Sequence, residues 1–102
     1  MKHRSNCPIA RTLDILGDKW SLLVLRDSLV FDCRTFGDFA SSDEHIPTNI
    51  LSDRLKRLEA HGLLTRHPYQ QNPERFEYRP TDQARAILPI LKAIRDYGER
   101  YH

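Results

Sequence analysis

One segment constrains the fold of this chain more than any other: residues 46–79 combine an amphipathic helix, a glycine break and two short strands. The predicted helix covers residues 50–61 and carries Leu51, Leu55 and Leu58 at three- and four-residue spacing. This spacing places the three leucines on one helical face, which must pack inward.

A hairpin follows this helix directly. Gly62 ends the helix, and the predicted strands at residues 64–69 and 75–79 flank a polar turn. Pro68 lies inside the first strand and Pro80 follows the second. Proline has no backbone N–H to donate to a neighbouring strand, so neither strand can be central in a sheet. The pattern predicts an isolated two-stranded wing.

The face of the predicted helix opposite the leucines is polar, at about 100° of rotation per residue. It carries Asn49, Ser52, Asp53, Lys56 and Arg57. Such side chains can donate hydrogen bonds to phosphates or reach base edges in a major groove. A helix of this kind followed by a polar-tipped hairpin predicts a winged helix-turn-helix, mainly α with a small β-hairpin, and indicates DNA binding.

Three helices are predicted before this segment. The first, at about residues 7–16, opens at Pro8, and its apolar stripe consists of Ile9, Leu13 and Leu16. Asp18 is a suitable N-cap for the second helix, residues 19–29. That helix is apolar almost all round, which predicts a central, buried position. A short third helix is expected at residues 36–40.

The last predicted helix covers about residues 82–99, with Thr81 as its N-cap. Pro89 lies inside it and removes one backbone hydrogen bond, so a kink is expected near Arg85 or Ala86. Its apolar face is broader than one small domain can cover and consists of Ile87, Leu88, Leu91, Ile94, Tyr97 and Tyr101.

Length and composition favour a single domain spanning residues 1–102. No apolar run approaches the ~20 residues of a membrane span, and the first residues lack the apolar stretch of a signal peptide, so we expect a cytoplasmic protein without a membrane partner. Net charge is only +2, but residues 21–45 sum to −3 whereas residues 46–80 hold six Lys or Arg against four Asp or Glu. Positive charge therefore concentrates at the predicted helix and wing.

Six short motifs occur in one order along the chain and together resemble the HxlR-type bacterial transcription regulators, relatives of the MarR-type winged-helix proteins. The motifs are Cys7-Pro8-Ile9-Ala10, Leu16-Gly17-Asp18-Lys19-Trp20 with Leu22-Leu23-Val24-Leu25-Arg26, Arg34-Thr35-Phe36-Gly37-Asp38-Phe39, Asn49-Ile50-Leu51-Ser52-Asp53-Arg54-Leu55, Leu58-Glu59-Ala60-His61-Gly62-Leu63 and Arg75-Phe76-Glu77-Tyr78-Arg79-Pro80-Thr81.

The resemblance implies a homodimer on an inverted-repeat operator, with dimerisation helices at about 7–16 and 82–99. Some members of this family sense oxidants or electrophiles through a cysteine at the position of Cys7. The resemblance therefore implies an oxidant or a small-molecule effector as a further partner. The chain departs from the family pattern in having Pro47 and Thr48 at the entry to the recognition helix. Thr48 is therefore expected to supply the helix cap.

The residues predicted to contact DNA are Thr48, Asn49, Ser52, Asp53, Arg54, Lys56, Arg57 and Arg75. For Arg54 the alternative is an ion pair with a carboxylate such as Glu59 or Asp38. Asp53 either accepts a hydrogen bond from cytosine N4 or suppresses non-specific binding. At the wing, Arg75 contacts a phosphate or the minor groove, or is only a solvated strand end.

Cys7 has two interpretations. At a helix N-terminus the macrodipole favours a reactive thiolate, and Lys2, His3 and Arg4 would add to this effect. Alternatively, Cys7 is a small half-buried residue without a redox role. Cys33 is expected to be a bystander, although pairing with Cys7 across a dimer stays open.

No catalytic or metal-binding pattern stands out. The five histidines have no partner at metal-ligand spacing, and there is no Ser-His-Asp order, phosphate loop or pair of carboxylates. We therefore expect neither enzyme activity nor a cofactor. The rival function is that of a winged-helix module for protein–protein assembly. Salt-dependent binding to duplex DNA would distinguish a DNA-binding protein from such a module.

Overall fold

Helices and one antiparallel hairpin make up the fold of residues 5–102, the part that this structure, a computed structural model, describes. In chain order the elements are α1 Pro8–Leu16, α2 Ser21–Leu29, α3 Phe36–Ala40, α4 Thr48–Ala60, β1 Leu64–Gln70, β2 Arg75–Pro80, α5 Asp82–Arg85 and α6 Leu88–Tyr101. This architecture is the winged helix-turn-helix predicted from the sequence. Within residues 5–102, no helix has the length and apolarity needed to cross a bilayer.

The second helix is the centre of the fold, as predicted. It contacts each of the other helices and β2, and Val24 and Leu25 are fully buried. It begins at Ser21 rather than residue 19, after a turn at Lys19 and Trp20. The Asp18 carboxylate accepts hydrogen bonds from the backbone N–H groups of Trp20 and Ser21, at 3.0 and 3.1 Å. These bonds hold a separate turn ahead of the helix.

The helix-turn-helix pair consists of α3 and α4. A reciprocal capping box between Thr35 and Asp38 starts α3, and Phe39 is fully buried. In α4, all three leucines of the predicted stripe are buried, which confirms the inward face.

The predicted cap at Thr48 is wrong. The N-cap position is Pro47, whose carbonyl accepts the first helical bond from Leu51 N–H at 2.9 Å. Thr48 is therefore already inside the helix, and no side chain caps this end.

The wing is a two-stranded antiparallel sheet in which Leu64 faces Pro80 and Pro68 faces Phe76. Each strand is one residue longer than predicted. Gly62 makes the tight turn into the wing with a φ of +80°, a backbone conformation that residues other than glycine rarely adopt.

A backbone hydrogen bond of 2.6 Å from Tyr78 N–H to the Arg34 carbonyl ties the wing to the residues before α3. An isolated bridge between Thr35 and Glu77 continues this contact. The wing is thereby held against the helix-turn-helix pair.

The predicted C-terminal helix at 82–99 is two helices rather than one kinked helix. Residues 86 and 87 form a turn between α5 and α6, at the place where the kink was expected. Pro89 lies in the first turn of α6. Backbone N–H groups in the first turn make no bond within a helix, so the absence of an N–H at Pro89 costs no helical hydrogen bond. The proline therefore starts a second helix instead of bending the first.

The Asp18 carboxylate joins the start of α2 to α4. It accepts hydrogen bonds from Arg54 Nε at 2.8 Å and from the Ser21 hydroxyl at 2.5 Å, besides the two backbone N–H groups. Partial burial alone would raise the pKa of this carboxyl, but the bonds from Ser21, Arg54 and Trp20 outweigh burial and hold the pKa well below its ordinary range.

We expect Asp18→Asn to lower the free energy of unfolding by about 2 kcal/mol at neutral pH, because hydrogen bonds to a charged group are exchanged for weaker ones. Since the folded chain has the lower pKa, the contribution of Asp18 is complete above the unfolded value of about 4 and is lost as pH falls below it. Denaturant titrations from about pH 6 down to about pH 2.5 should therefore show a steeper loss of stability in the wild type than in Asp18→Asn.

The matched control is Asp43→Asn, which changes an exposed carboxylate that has no ion pair within residues 5–102. This variant should keep the wild-type pH slope. Parallel curves for the wild type and Asp18→Asn would contradict the assigned role of the carboxylate.

Candidate nucleic-acid interface

The outward face of α4 is polar along its length. Thr48, Asn49, Asp53 and Lys56 are exposed, and Ser52 is half-buried beside them. Asn49, Ser52, Asp53 and Lys56 share one face because the leucine stripe fixes the rotation of the helix about its axis, whereas Thr48 lies in the first turn, close to the direction of Leu55. Four of the eight predicted contact residues thus lie on one face of α4.

Arg54 and Arg57 belong to the flank of α4 that faces the corner between α1 and α2. Arg54 pairs with Asp18 and Asp53, and its side chain is only 19% exposed. The alternative of an ion pair with a carboxylate is thus confirmed, but the partners are not Glu59 or Asp38, because the helix rotation points Arg54 at the α2 start.

Arg57 is also engaged within the protein. One of its guanidinium nitrogens donates to the carbonyl of Ile15 at 3.4 Å, and another lies 4.0 Å from the Asp18 carboxylate. Its side chain remains 35% exposed. Arg54 and Arg57 therefore attach α4 to the corner between α1 and α2.

The cations of the wing divide in the same way. Arg66 stacks over the Phe76 ring at 4.3 Å and lies 3.9 Å from Glu59, and Arg79 pairs with Glu77. In contrast, Arg75 is exposed and has no ion-pair partner within residues 5–102.

Of the cations predicted to contact DNA, Lys56 on α4 and Arg75 on the wing are thus uncommitted in the described chain. A cation that makes no intramolecular pair can meet a phosphate without first breaking one. Asp53, in turn, is exposed but pairs with Arg54, so its negative charge is partly compensated.

Sequence reasoning assigned Asp18 only a capping role and missed its contact with α4. The two residues are 36 positions apart in the chain, and a hydrophobic periodicity predicts only contacts between residues a few positions apart. The one available signal was the position of Asp18 directly after a glycine, at a corner where a carboxylate can reach a neighbouring helix.

The terminal helices expose only part of the apolar faces that the sequence indicated. Of the predicted C-terminal face, Ile94, Tyr97 and Tyr101 are exposed, whereas Ile87 is buried and Leu88 and Leu91 are half-buried. In α1, Ile9 is 71% and Leu13 55% exposed, whereas Leu16 is buried. No residue of α6 is buried. Its exposed large side chains are Ile90, Ile94, Tyr97 and Tyr101.

Cys7 occupies the N-cap position of α1, as predicted, and is exposed. Cys33 is half-buried, and burial raises the pKa of its thiol, helped by the negative charges of Asp27 and Asp38. The predicted contribution of Lys2, His3 and Arg4 lies outside the described residues. Residues 5–102 contain no group of three or more His, Cys, Asp or Glu that could hold a metal ion.

Known proteins similar to this chain are transcriptional regulators. Residues 15–102 match the HxlR-like helix-turn-helix family. The HTH-type transcriptional regulator Rv3095 of Mycobacterium tuberculosis is 38% identical over 93 residues, which are 91% of this chain and 58% of that protein. The chain thus spans less than two thirds of this relative.

Two solved structures share the fold. The crystal structure of PA1607, described as a transcription factor, has a TM-score of 0.84 at 42% identity and covers 96% of this chain and 67% of that one. The redox regulator HypR in its reduced form has a TM-score of 0.76 at 31% identity, over 92% of each chain. With 88 of its 102 residues matched in sequence, the chain belongs to the HxlR-like helix-turn-helix family of transcriptional regulators.

Proposed function

We propose that this chain is a sequence-specific DNA-binding domain that places α4 in a major groove and the wing on the adjacent backbone. The observation that carries the proposal is the exposed polar face of α4, with Lys56 of that face and Arg75 of the wing free of intramolecular ion pairs in the described chain. Asn49 and Ser52 supply uncharged hydrogen-bonding groups for base edges. Asp53 restricts the bases that the helix accepts.

We further propose that residues 1–102 form one domain that acts as a homodimer on an inverted repeat. Exposed apolar faces on α1 and α6 support this, because apolar surfaces of this kind mark protein interfaces. A two-fold axis through these terminal helices would present two copies of α4 to successive major grooves.

Cys7 is proposed as an oxidant- or electrophile-sensitive residue of this regulator. Its exposure at the N-terminus of α1 supports reactivity. Its position on a proposed dimerisation helix links modification to the spacing of the two recognition helices. HypR, a redox regulator by description, is similar over 92% of this chain.

The dimer is tested by Ile90→Glu combined with Ile94→Glu, which places charge on the exposed face of α6. Burial of apolar surface favours association by about 25 cal/mol per Å² before ordering costs. We expect the wild type to sediment as a dimer at micromolar concentration and the variant as a folded monomer. Glu99→Lys, on the same helix, should remain dimeric. A monomeric wild type would refute the proposal.

DNA recognition is tested by fluorescence anisotropy on duplexes selected from a random pool. Lys56→Ala and Arg75→Ala should each weaken binding and lower the salt slope by about one, since each removes one phosphate contact. Selected sites should contain half-sites about 10 bp apart, centre to centre, or a multiple of that spacing.

Two further variants complete this experiment. Asp53→Ala should change the preferred base at one position without loss of non-specific affinity, whereas Arg100→Ala, at the end of α6, should bind like the wild type. If Lys56→Ala and Arg75→Ala kept the wild-type affinity across the salt range, α4 and the wing would not be the DNA-binding surface. The protein–protein module would then be the better function.

The sensor role of Cys7 is tested by alkylation and oxidation. Iodoacetamide should modify Cys7 faster than Cys33, because burial and nearby carboxylates raise the pKa of the Cys33 thiol. Diamide should weaken DNA binding by the wild type and by Cys33→Ser but not by Cys7→Ser. Equal sensitivity of the wild type and Cys7→Ser would leave Cys7 without a sensing role.

A further inference from the structure

Three side chains in sequence connect the corner between α1 and α2 to the outward face of α4. Asp18, in that corner, accepts a hydrogen bond from Arg54 Nε at 2.8 Å. Arg54 Nη1 in turn donates to Oδ2 of Asp53, its neighbour in α4. The guanidinium of Arg54 therefore joins two carboxylates, one in the corner and one on the polar face of the recognition helix.

Only the last of these three side chains is open to a partner. Asp18 and Arg54 are half-buried, whereas the Asp53 side chain is 57% exposed. A change at Asp18 or Arg54 can therefore reach a molecule bound on the polar face of α4 through Asp53.

The planar guanidinium makes this connection directional. Asp18 is itself held by the backbone N–H groups of Trp20 and Ser21. It fixes Arg54 at Nε, and because the N–H groups of a guanidinium form a rigid fork, the direction of Nη1 is then fixed as well. An exposed aspartate on a helix otherwise samples several staggered rotamers about χ1. The bond from Nη1 selects the rotamer in which the Asp53 carboxylate reaches Arg54.

The Asp53 carboxylate keeps one oxygen for a ligand. Oδ2 accepts from Arg54, whereas Oδ1 accepts no hydrogen bond within residues 5–102. A carboxylate oxygen can accept from the N4 amino group of cytosine in a major groove. The positive charge of Arg54 also lowers the repulsion between this carboxylate and the phosphates. Where Oδ1 lies relative to a base therefore depends on how Arg54 is held.

We propose that Asp18 and Arg54 are positioning residues for base recognition, which set the base preference of α4 by fixing the direction of the Asp53 carboxylate. Neither residue has to contact DNA for this role. The proposal rests on the DNA binding proposed above. It replaces the DNA contact predicted for Arg54 from sequence by an internal support of the contact that Asp53 makes.

The first test uses the free protein. The three-bond couplings of the Asp53 β-protons, measured by NMR, should report one χ1 rotamer in the wild type. Asp18→Asn removes the charge that holds Arg54, and Arg54→Lys replaces the fork by a flexible point charge. Both variants should therefore give averaged couplings. Couplings that are already averaged in the wild type, or that report one rotamer in both variants, would overturn the proposal.

The second test measures base preference on selected duplexes. It compares the selected site with the same site altered at the position where Asp53→Ala loses its preference. Asp18→Asn and Arg54→Lys should each lower the preference at that position about fivefold, which corresponds to about 1 kcal/mol, and leave the other positions unchanged. In the Asp53→Ala background, neither should change it further.

Two results of this experiment would contradict the positioning role. A purely structural role of Asp18 and Arg54 would lower the affinity for both duplexes by the same factor and leave the preference intact. If Asp53→Ala lost no base preference at any position, Asp53 would read no base, and there would be no contact to position.

Arg57→Gln is the matched control. Arg57 also contacts the corner, at Ile15 and Asp18, but forms no ion pair with Asp53 within residues 5–102. This variant should keep the wild-type base preference and the single Asp53 rotamer, and any loss of affinity should be equal for both duplexes. A loss of preference as large as that of Arg54→Lys would overturn the proposal. Thermal melts of every variant ensure that only folded protein is compared.

The two tests separate failure of this proposal from failure of the DNA binding on which it rests. A chain with one Asp53 rotamer that binds no duplex would refute the DNA binding, and the positioning role with it, while the contacts of Arg54 would stand. A chain that binds selected duplexes with a preference independent of Asp18 and Arg54 would refute only the positioning role.

Discussion

The charge-assisted hydrogen bonds of one carboxylate, Asp18, set the position of the recognition helix. The Arg54 side chain is only 19% exposed, and a counter-charge stabilises a guanidinium that is partly removed from water. Asp18 supplies it while holding the turn before α2 through two backbone N–H groups. The corner itself requires Gly17, because a Cβ there would collide with the carbonyl oxygen of Leu13. The α1–α2 corner, the central helix and α4 are therefore fixed together by adjacent residues of one loop.

The parts of the fold that sequence predicted are those set by local patterns. The leucine spacing of α4, the glycine that ends it and the two proline-marked strands each follow from interactions within a few residues. The same patterns failed at Thr48 and at residues 86–87, where one residue decides whether a helix has begun or ended. They also could not tell which cations are free. The sequence left an ion pair open for Arg54 without identifying its main partner, and the tertiary contact with Asp18 is what commits Arg54 while Lys56 stays exposed.

The central helix shows a second limit of pattern-based inference. Its sequence is rich in leucine and valine, yet its buried positions include Ser21, Asp27 and Ser28. Leu22 and Leu23, in contrast, are only half-buried, in a groove between α2 and α6. Which side of an almost uniformly apolar helix faces the core depends on the elements packed around it. Here α6 leaves part of α2 accessible, and this produces the groove.

The two-residue turn between α5 and α6 divides the C-terminal region between two neighbours. Ala84 of α5 is fully buried, and α5 contacts α2 and β2, whereas α6 contains no buried residue and contacts α2. A single long helix would have imposed one axis on both parts. With the break, α5 and α6 have separate axes, so the tilt of α6 is set independently of the wing. In the dimer proposed above, a change of a few degrees in that tilt would alter the separation of the two copies of α4 while each helix-turn-helix pair stays intact.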